Sequence, residues 1–328
     1  MAAPVVSVVT PFYNTAQWLG ACIESVLSQR FTEFEYLLVN NCSTDGSAEI
    51  AREYARLDSR IRVIDQLEFL SQSRNFNSAL RSISPESRYC KMILADDLLF
   101  PCCLAEMVQV AERHPSIGIV SSLFLTGRGV GAVGLPYPEE CFPGRAIARE
   151  QLIKGRYFLG SPSVVMYRAD VVRRNPNFFQ DHKYSADSIR AYQFLLEADL
   201  GFVHQVLSFL RYREDSIGAE VEDYRHYLLD VYIQLQTHGK QVLSGDEYTA
   251  VRRRVQREYF GFLGIEALYN FRSGLWEFTS GGLAIIGESF SGWRRIRWTL
   301  GGVLHILGHP YKLLRFVSRK LSQRSREG

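Results

Sequence analysis

Cysteine is scarce in this chain and poorly arranged for either of its structural uses. The six residues, Cys22, Cys42, Cys90, Cys102, Cys103 and Cys141, show no paired metal-ligand spacing, and the adjacent Cys102 and Cys103 are badly disposed to bridge together. A zinc module and a disulfide scaffold are excluded, and a reducing compartment is expected. No uninterrupted apolar run reaches the ~18 residues that would suggest a membrane span. The opening MAAPVVSVVTPFYN carries no basic n-region and passes straight into a strand-like run, so it reads as the start of the fold rather than as a signal peptide. A cytoplasmic protein, soluble or at most peripheral, is therefore expected. Internal repeats and low-complexity tracts are also missing.

What is present is ordinary globular material. The 328 residues are 46% hydrophobic and 22% charged, ample for a packed core and too long for one small domain. Charge is unevenly spread: residues 289–328 hold nine Lys or Arg against one acid, so the net +3 divides into +8 there and −5 over residues 1–288. In that tail Arg294, Arg295 and Arg297 alternate with Trp293 and Trp298, a mixture suited to an interfacial helix on anionic lipid or to a solvated helical end. No recognition module accompanies the charge, which argues against a nucleic-acid partner.

Along residues 1–125 a short β-rich run, a polar turn and a segment of helical periodicity recur, the pattern of an α/β fold. The runs are Val5–Val9, Tyr36–Val39, Ile61–Ile64, Lys91–Leu94 and Ile117–Leu125, with a helix after a Thr15 cap and another beginning near Ser47. Right-handed crossovers would make the sheet largely parallel, with its binding crevice beyond the carboxyl ends of the strands. Residues 126–143 read as an irregular Gly- and Pro-rich excursion, Ser163–Tyr167 and Phe202–Leu210 as further strands, and Asp187–Leu196 as a helix. Beyond about Glu220 strand signals stop, and Tyr224–Leu243 and Glu247–Asn270 read as long helices. The division expected is 1–220 and a helical 221–328.

Three segments at strand ends carry candidate chemistry. Asp96 and Asp97 follow the run KMIL; neighbouring carboxylates raise one another's pKa unless a cation or a donor takes up the charge, and hard oxygens in small number suit Mg²⁺ or Mn²⁺. A helix N-cap pair is the alternative. LLVNNCSTDGS empties into a turn where Asn41 could meet a heterocycle's edge or simply close an Asx turn. In Ser71-Gln72-Ser73-Arg74-Asn75, Arg74 could reach a phosphate with its planar fork or lie solvated.

Taken together, VSVVTPFYN, LLVNNCSTDGS, SRNFNSAL and ADDLLFP resemble, in order and spacing, the motifs of family 2 glycosyltransferases of the GT-A fold, over roughly residues 5–215. The resemblance implies a Rossmann-like, mostly parallel central sheet flanked by helices, with a C-terminal helical appendage. It also implies sugar transfer from a nucleotide-diphosphate donor to a hydroxyl, with inversion, helped by Mg²⁺ or Mn²⁺. The acceptor class implied is a saccharide or lipid-linked saccharide of cell-surface polysaccharide or glycan assembly. On matching positions, Pro11 and Tyr13 would line the nucleoside pocket and Asn41 would stand where the family usually has a base-reading Asp. Arg74 would lie near the pyrophosphate, Asp96 on the ribose side and Asp97 on the metal side. Arg211 and Arg213 occupy positions near the diphosphate, Arg213 where a histidine is often found. Asp187 matches the general base, with Ala186 in place of the usual Glu, and Gly160-Ser161-Pro162 would contribute to the acceptor floor.

Two other classes compete with this reading. Gly129-Val130-Gly131-Ala132-Val133-Gly134 formally matches a dinucleotide fingerprint, but Leu135-Pro136-Tyr137-Pro138 follows and forbids the helix that such a motif must open. A non-catalytic sugar-nucleotide-binding protein of the same fold is suggested by Asn40, Asn41 and Ala186 replacing usual acids; Asp96, Asp97 and Asp187 oppose it.

Overall fold

The structure, a computed structural model, describes residues 3–181, 186–213, 224–269, 273–289 and the single positions 293, 296, 300, 301 and 304. It divides into two compact units, Met1–Glu220 and Val221–Gly328.

The first unit is an α/β layer structure. β1 (Val6–Phe12), β2 (Phe34–Asn40), β3 (Ile61–Asp65) and β4 (Tyr89–Met92) alternate with α1 (Ala16–Leu27), α2 (Ser47–Leu57) and α3 (Gln72–Arg81). β5 (Leu98–Leu99), α4 (Cys103–Arg113), β6 (Ile117–Thr126), β7 (Gly129–Gly131), β8 (Cys141–Phe142) and α5 (Gly144–Lys154) follow. The unit continues through β9 (Met166–Arg168), α6 (Ala169–Arg174), α7 (Ala186–Glu197) and β10 (Asp199–Leu210). Every residue of β1 is buried, as expected of a strand covered on both faces.

The sheet order is β3-β2-β1-β4-β9-β6-β10-β5. β1 runs parallel to β2 and β4, β2 to β3, and β6 to β10, whereas β9 is antiparallel to both β4 and β6. The carboxyl ends of β1–β4, β6 and β10 therefore share one edge. After β3 the chain returns to the far side of β1 to lay down β4, so a topological switch point opens between β1 and β4, where open α/β sheets bind ligands.

Three local expectations are corrected. Thr15 makes no side-chain cap; the first helical N–H, that of Ala16, is received by Asp45 Oδ2 at 2.9 Å from the neighbouring turn. The strand expected over Ser163–Tyr167 is paired only from Met166, because the carbonyls of Ser163 and Val165 are taken by the Lys91 side chain. Within the supposed excursion, Gly129–Gly131 folds back on β6 as a hairpin, which is how the glycine-rich stretch is used.

The second unit contains α8 (His226–Val242), α9 (Gly245–Tyr269) and α10 (Ser273–Ile285). Tyr232 meets Phe260 edge-on at 5.4 Å, and the buried Tyr259 hydroxyl lies 3.1 Å from that of Thr279.

Candidate active site

The turns after β1 and β2 are built as one piece. Asn14, in the left-handed region at φ 49°, accepts the Thr44 N–H at 2.8 Å and donates its own N–H to Ser43 Oγ at 3.1 Å. The Thr15 N–H reaches Ser47 Oγ at 2.9 Å, and Asp45 Oδ1 accepts the Ser47 N–H at 3.1 Å. Asp45 thus satisfies orphan donors at the starts of both α1 and α2. This interlock presents a buried Pro11 and a half-exposed Tyr13 at the switch point.

Tyr13 meets Phe69 edge-on, ring centroids 4.8 Å apart, and both residues are exposed. Asn41 is buried, and its amide pairs twice with the backbone of Leu70: Oδ1 accepts that N–H at 2.9 Å and Nδ2 donates to that carbonyl at 3.0 Å. One N–H and one acceptor position of the amide remain. Arg74 projects exposed from the first turn of α3, whose cap residue Ser71 donates to Asp181 Oδ1 at 2.7 Å.

The carboxylate pair lies just beyond β4. Asp97 Oδ1 accepts the Arg211 N–H at 2.9 Å, and the nearby Ser163 hydroxyl favours the charged form of the same carboxylate. Burial, and then the charge of Asp96, push the Asp97 carboxyl up to about 7 despite both. Asp96 Oδ2 faces Arg213 Nη1 at 3.3 Å, and its carbonyl accepts Arg211 Nε at 3.0 Å. The Arg211 guanidinium lies 4.3 Å over the Trp18 ring. The end of β10 and the end of β4 are thereby clasped by two arginines and two aspartates.

This donor set fits a divalent cation. Burial first, and the Asp96 charge second, disfavour the ionised Asp97, a penalty that a cation beside it would offset. Among the described residues no three His, Cys, Asp or Glu gather, so a cation held by Asp97 would complete its shell with water and ligand oxygens, the habit of Mg²⁺ and Mn²⁺.

Asp187 lies half-buried in the first turn of α7; after burial, its charge is the next cause raising the hydroxyl pKa of the buried Tyr167. His182, five residues before it in the chain, falls outside the described residues. Gly160 adopts φ 71°, Pro162 is buried, and the buried Ser161 hydroxyl meets no hydrogen-bond partner among the described residues. Sequence reasoning missed Trp18, Phe69, Lys91 and Ser163. A lysine inside an apolar run was the one visible signal; nothing in the sequence separates Trp18 or Phe69 from packing residues.

Residues 7–175 match the family described as Glycosyl transferase family 2. A putative teichuronic acid biosynthesis glycosyltransferase, TuaG of Bacillus subtilis, is 35% identical over 94 residues, 29% of this chain and 36% of that protein. The chain spans about a third of the length of this and similar curated relatives. Residues 1–349 of S. aureus TarS, solved with UDP-GlcNAc, align with a TM-score of 0.63 at 16% identity over 92% of both chains. A mannosyltransferase of Pyrobaculum calidifontis, solved with GDP-Man and Mn²⁺, aligns at 0.53 and 17% identity over 96% of this chain and 84% of that one. These likenesses show a shared fold, the GT-A glycosyltransferase architecture. Since the family match spans more than half of the sequence and includes the β4 carboxylates, the chain belongs to glycosyl transferase family 2.

Proposed function

We propose that this chain is an inverting glycosyltransferase. It moves a sugar from a nucleoside-diphosphate donor to a hydroxyl of a saccharide or lipid-linked saccharide, in cell-surface polysaccharide or glycan assembly. The observation that carries the reading is the clasp of Asp96 and Asp97 by Arg211 and Arg213 at the switch-point edge. The nucleotide sugars held by TarS and the mannosyltransferase support the donor class, and the pathway named for TuaG supports the acceptor class.

Pro11 and Tyr13 line the nucleoside pocket, with Asn41 beside the base, Asp96 on the ribose side and Arg74 near the pyrophosphate. Asp97 would hold a divalent cation, which when bound would supply Lewis-acid neutralisation of the leaving diphosphate. Arg211 and Arg213 add fixed positive charge there, each such contact being worth ~2–4 kcal/mol of transition-state stabilisation. Asp187 takes the proton of the acceptor hydroxyl as that oxygen bonds the anomeric carbon and the bond to the diphosphate oxygen breaks. Attack opposite the leaving group inverts the centre.

A donor panel tests this: release of UDP, GDP, CDP or dTDP from their sugars with Mn²⁺ or Mg²⁺, in parent and Asp97→Ala proteins. Release that Asp97→Ala abolishes is expected. Parental release by Asp97→Ala removes the metal assignment, and donor binding without hydrolysis or transfer would turn the reading to a non-catalytic binder.

The tail supports a second reading, attachment to the cytoplasmic face of an anionic membrane. Trp293, Ile296, Leu300 and Leu304 are each helical, recur in the sequence at helical spacing, and are 50–83% exposed, within the +8 segment. No helix among the described residues is long and apolar enough to cross a membrane. Co-sedimentation with phosphatidylglycerol vesicles at low salt tests it; a protein left in the supernatant ends the proposal.

A further inference from the structure

A cation inside an interior strand is costly unless something faces it. Lys91 is such a residue: it sits in β4, all four residues of which are buried, and is itself 0% exposed. Its ammonium donates to the main-chain carbonyls of Ser163 and Val165, the second at 3.2 Å. These carbonyl dipoles take two of its three N–H donors without neutralising its charge. Burial accordingly draws its pKa down to about 8, and Asp97 is the carboxylate whose charge opposes that shift.

Ser163 joins the two. Its carbonyl accepts from Lys91, its hydroxyl oxygen accepts the Leu94 N–H at 2.9 Å, and the same hydroxyl lies near enough to the Asp97 carboxylate to favour its charged form. Leu94 also receives the Asp97 N–H at 3.0 Å, so the turn carrying the carboxylate and the segment after Pro162 are tied at several points. A lysine serving only to fill space could be replaced by an apolar side chain of the same length. This one anchors the residue that aims Asp97.

Resting on the glycosyltransferase reading above, we infer that Lys91 and Ser163 are positioning residues: the buried ammonium fixes Ser163, and Ser163 orients Asp97 toward the diphosphate end of the donor. Neither touches substrate. Among the described residues neither makes a hydrogen bond to Tyr13, Phe69 or Asn41, whose own contacts lie with one another and with Leu70.

That separation gives the test. UDP, or the nucleoside diphosphate selected by the donor panel, is titrated calorimetrically into the full chain in EDTA and again in Mn²⁺, for the parent, Ser163→Ala and Lys91→Met. Ser163→Ala is the mild variant, and its thermal midpoint serves as the folding control. Expected is unchanged affinity in EDTA for both variants, with the Mn²⁺-dependent gain reduced about tenfold or more, the usual effect of losing a partner of a metal ligand. A full Mn²⁺ gain in a folded Ser163→Ala protein overturns the inference. So does an equal loss in EDTA and in Mn²⁺, which is what a purely structural role would produce. If the parent itself shows no Mn²⁺ gain, the metal role of Asp97 fails and this inference falls with it; an intact parental gain retained by the variants removes the inference alone.

Discussion

The Asp97 carboxylate should cost the fold stability that its removal returns. Its pKa rises from an ordinary 3.8 to about 7, because burial and the neighbouring Asp96 disfavour the charge. A carboxyl whose folded pKa lies above its unfolded value penalises the folded state once it ionises: the cost is absent below about pH 4 and fully present above about pH 7. The full shift corresponds to ~4 kcal/mol as an upper bound. Lys91 works against this, since a buried ammonium whose pKa is lowered to about 8 gains from a carboxylate nearby. Asp97→Asn keeps the shape and an acceptor for the Arg211 N–H, so the net gain at pH 8 should be ~1–3 kcal/mol, a rise of roughly 2–10 °C in the thermal midpoint. The gain should fade toward pH 5, where Asp97 is already protonated in the fold. Thermal denaturation followed by circular dichroism in EDTA from pH 5 to 8 measures it, while sugar transfer by the same variant should drop by at least ~100-fold. A variant less stable than the parent at pH 8, or a difference that does not change with pH, refutes the reasoning.

Asp187→Asn should leave nucleotide affinity unchanged and lower kcat by ~10²–10⁴-fold; a full-rate variant with an unaltered pH profile removes Asp187 as the base. Tyr13→Ala and Phe69→Ala should each weaken nucleoside diphosphate binding by ~1–3 kcal/mol, equally in EDTA and in Mn²⁺, as loss of a stacking surface does. Unchanged calorimetric affinity in both would show that the ring pair lies outside the base site. Asp45→Ala should cost ~1–2 kcal/mol in urea unfolding, because one side chain serves the first turns of two helices; a loss below a few tenths would mean water replaces it without penalty.

Local periodicity and turn chemistry were enough to recognise β1 to β4, β6, α2 and α7, and four short motifs in order were enough for the family. These features are carried by residues close in sequence, where alternation, β-branching and Asn/Asp/Gly turns act over a few positions. Elements that depend on a distant partner read less well. The α1 cap is supplied by Asp45, 29 residues away from Ala16, so Thr15 looked sufficient. The strand before Tyr167 is short because Lys91 claims its carbonyls, a competition between two segments 72 residues apart.

The same division runs through the candidate site. The presence of Asp96 and Asp97 at a strand end was evident from the chain itself, because an apolar run that stops at two acids marks the edge of a buried sheet. That Asp97 is buried, that Arg211 spends its backbone on one aspartate and its side chain on the next, and that Lys91 stands behind Ser163 were decided only by folding. Sheet order brings β10 and β9 to the end of β4 across more than 60 residues of chain, and charge, desolvation and hydrogen bonding act through space rather than along the sequence.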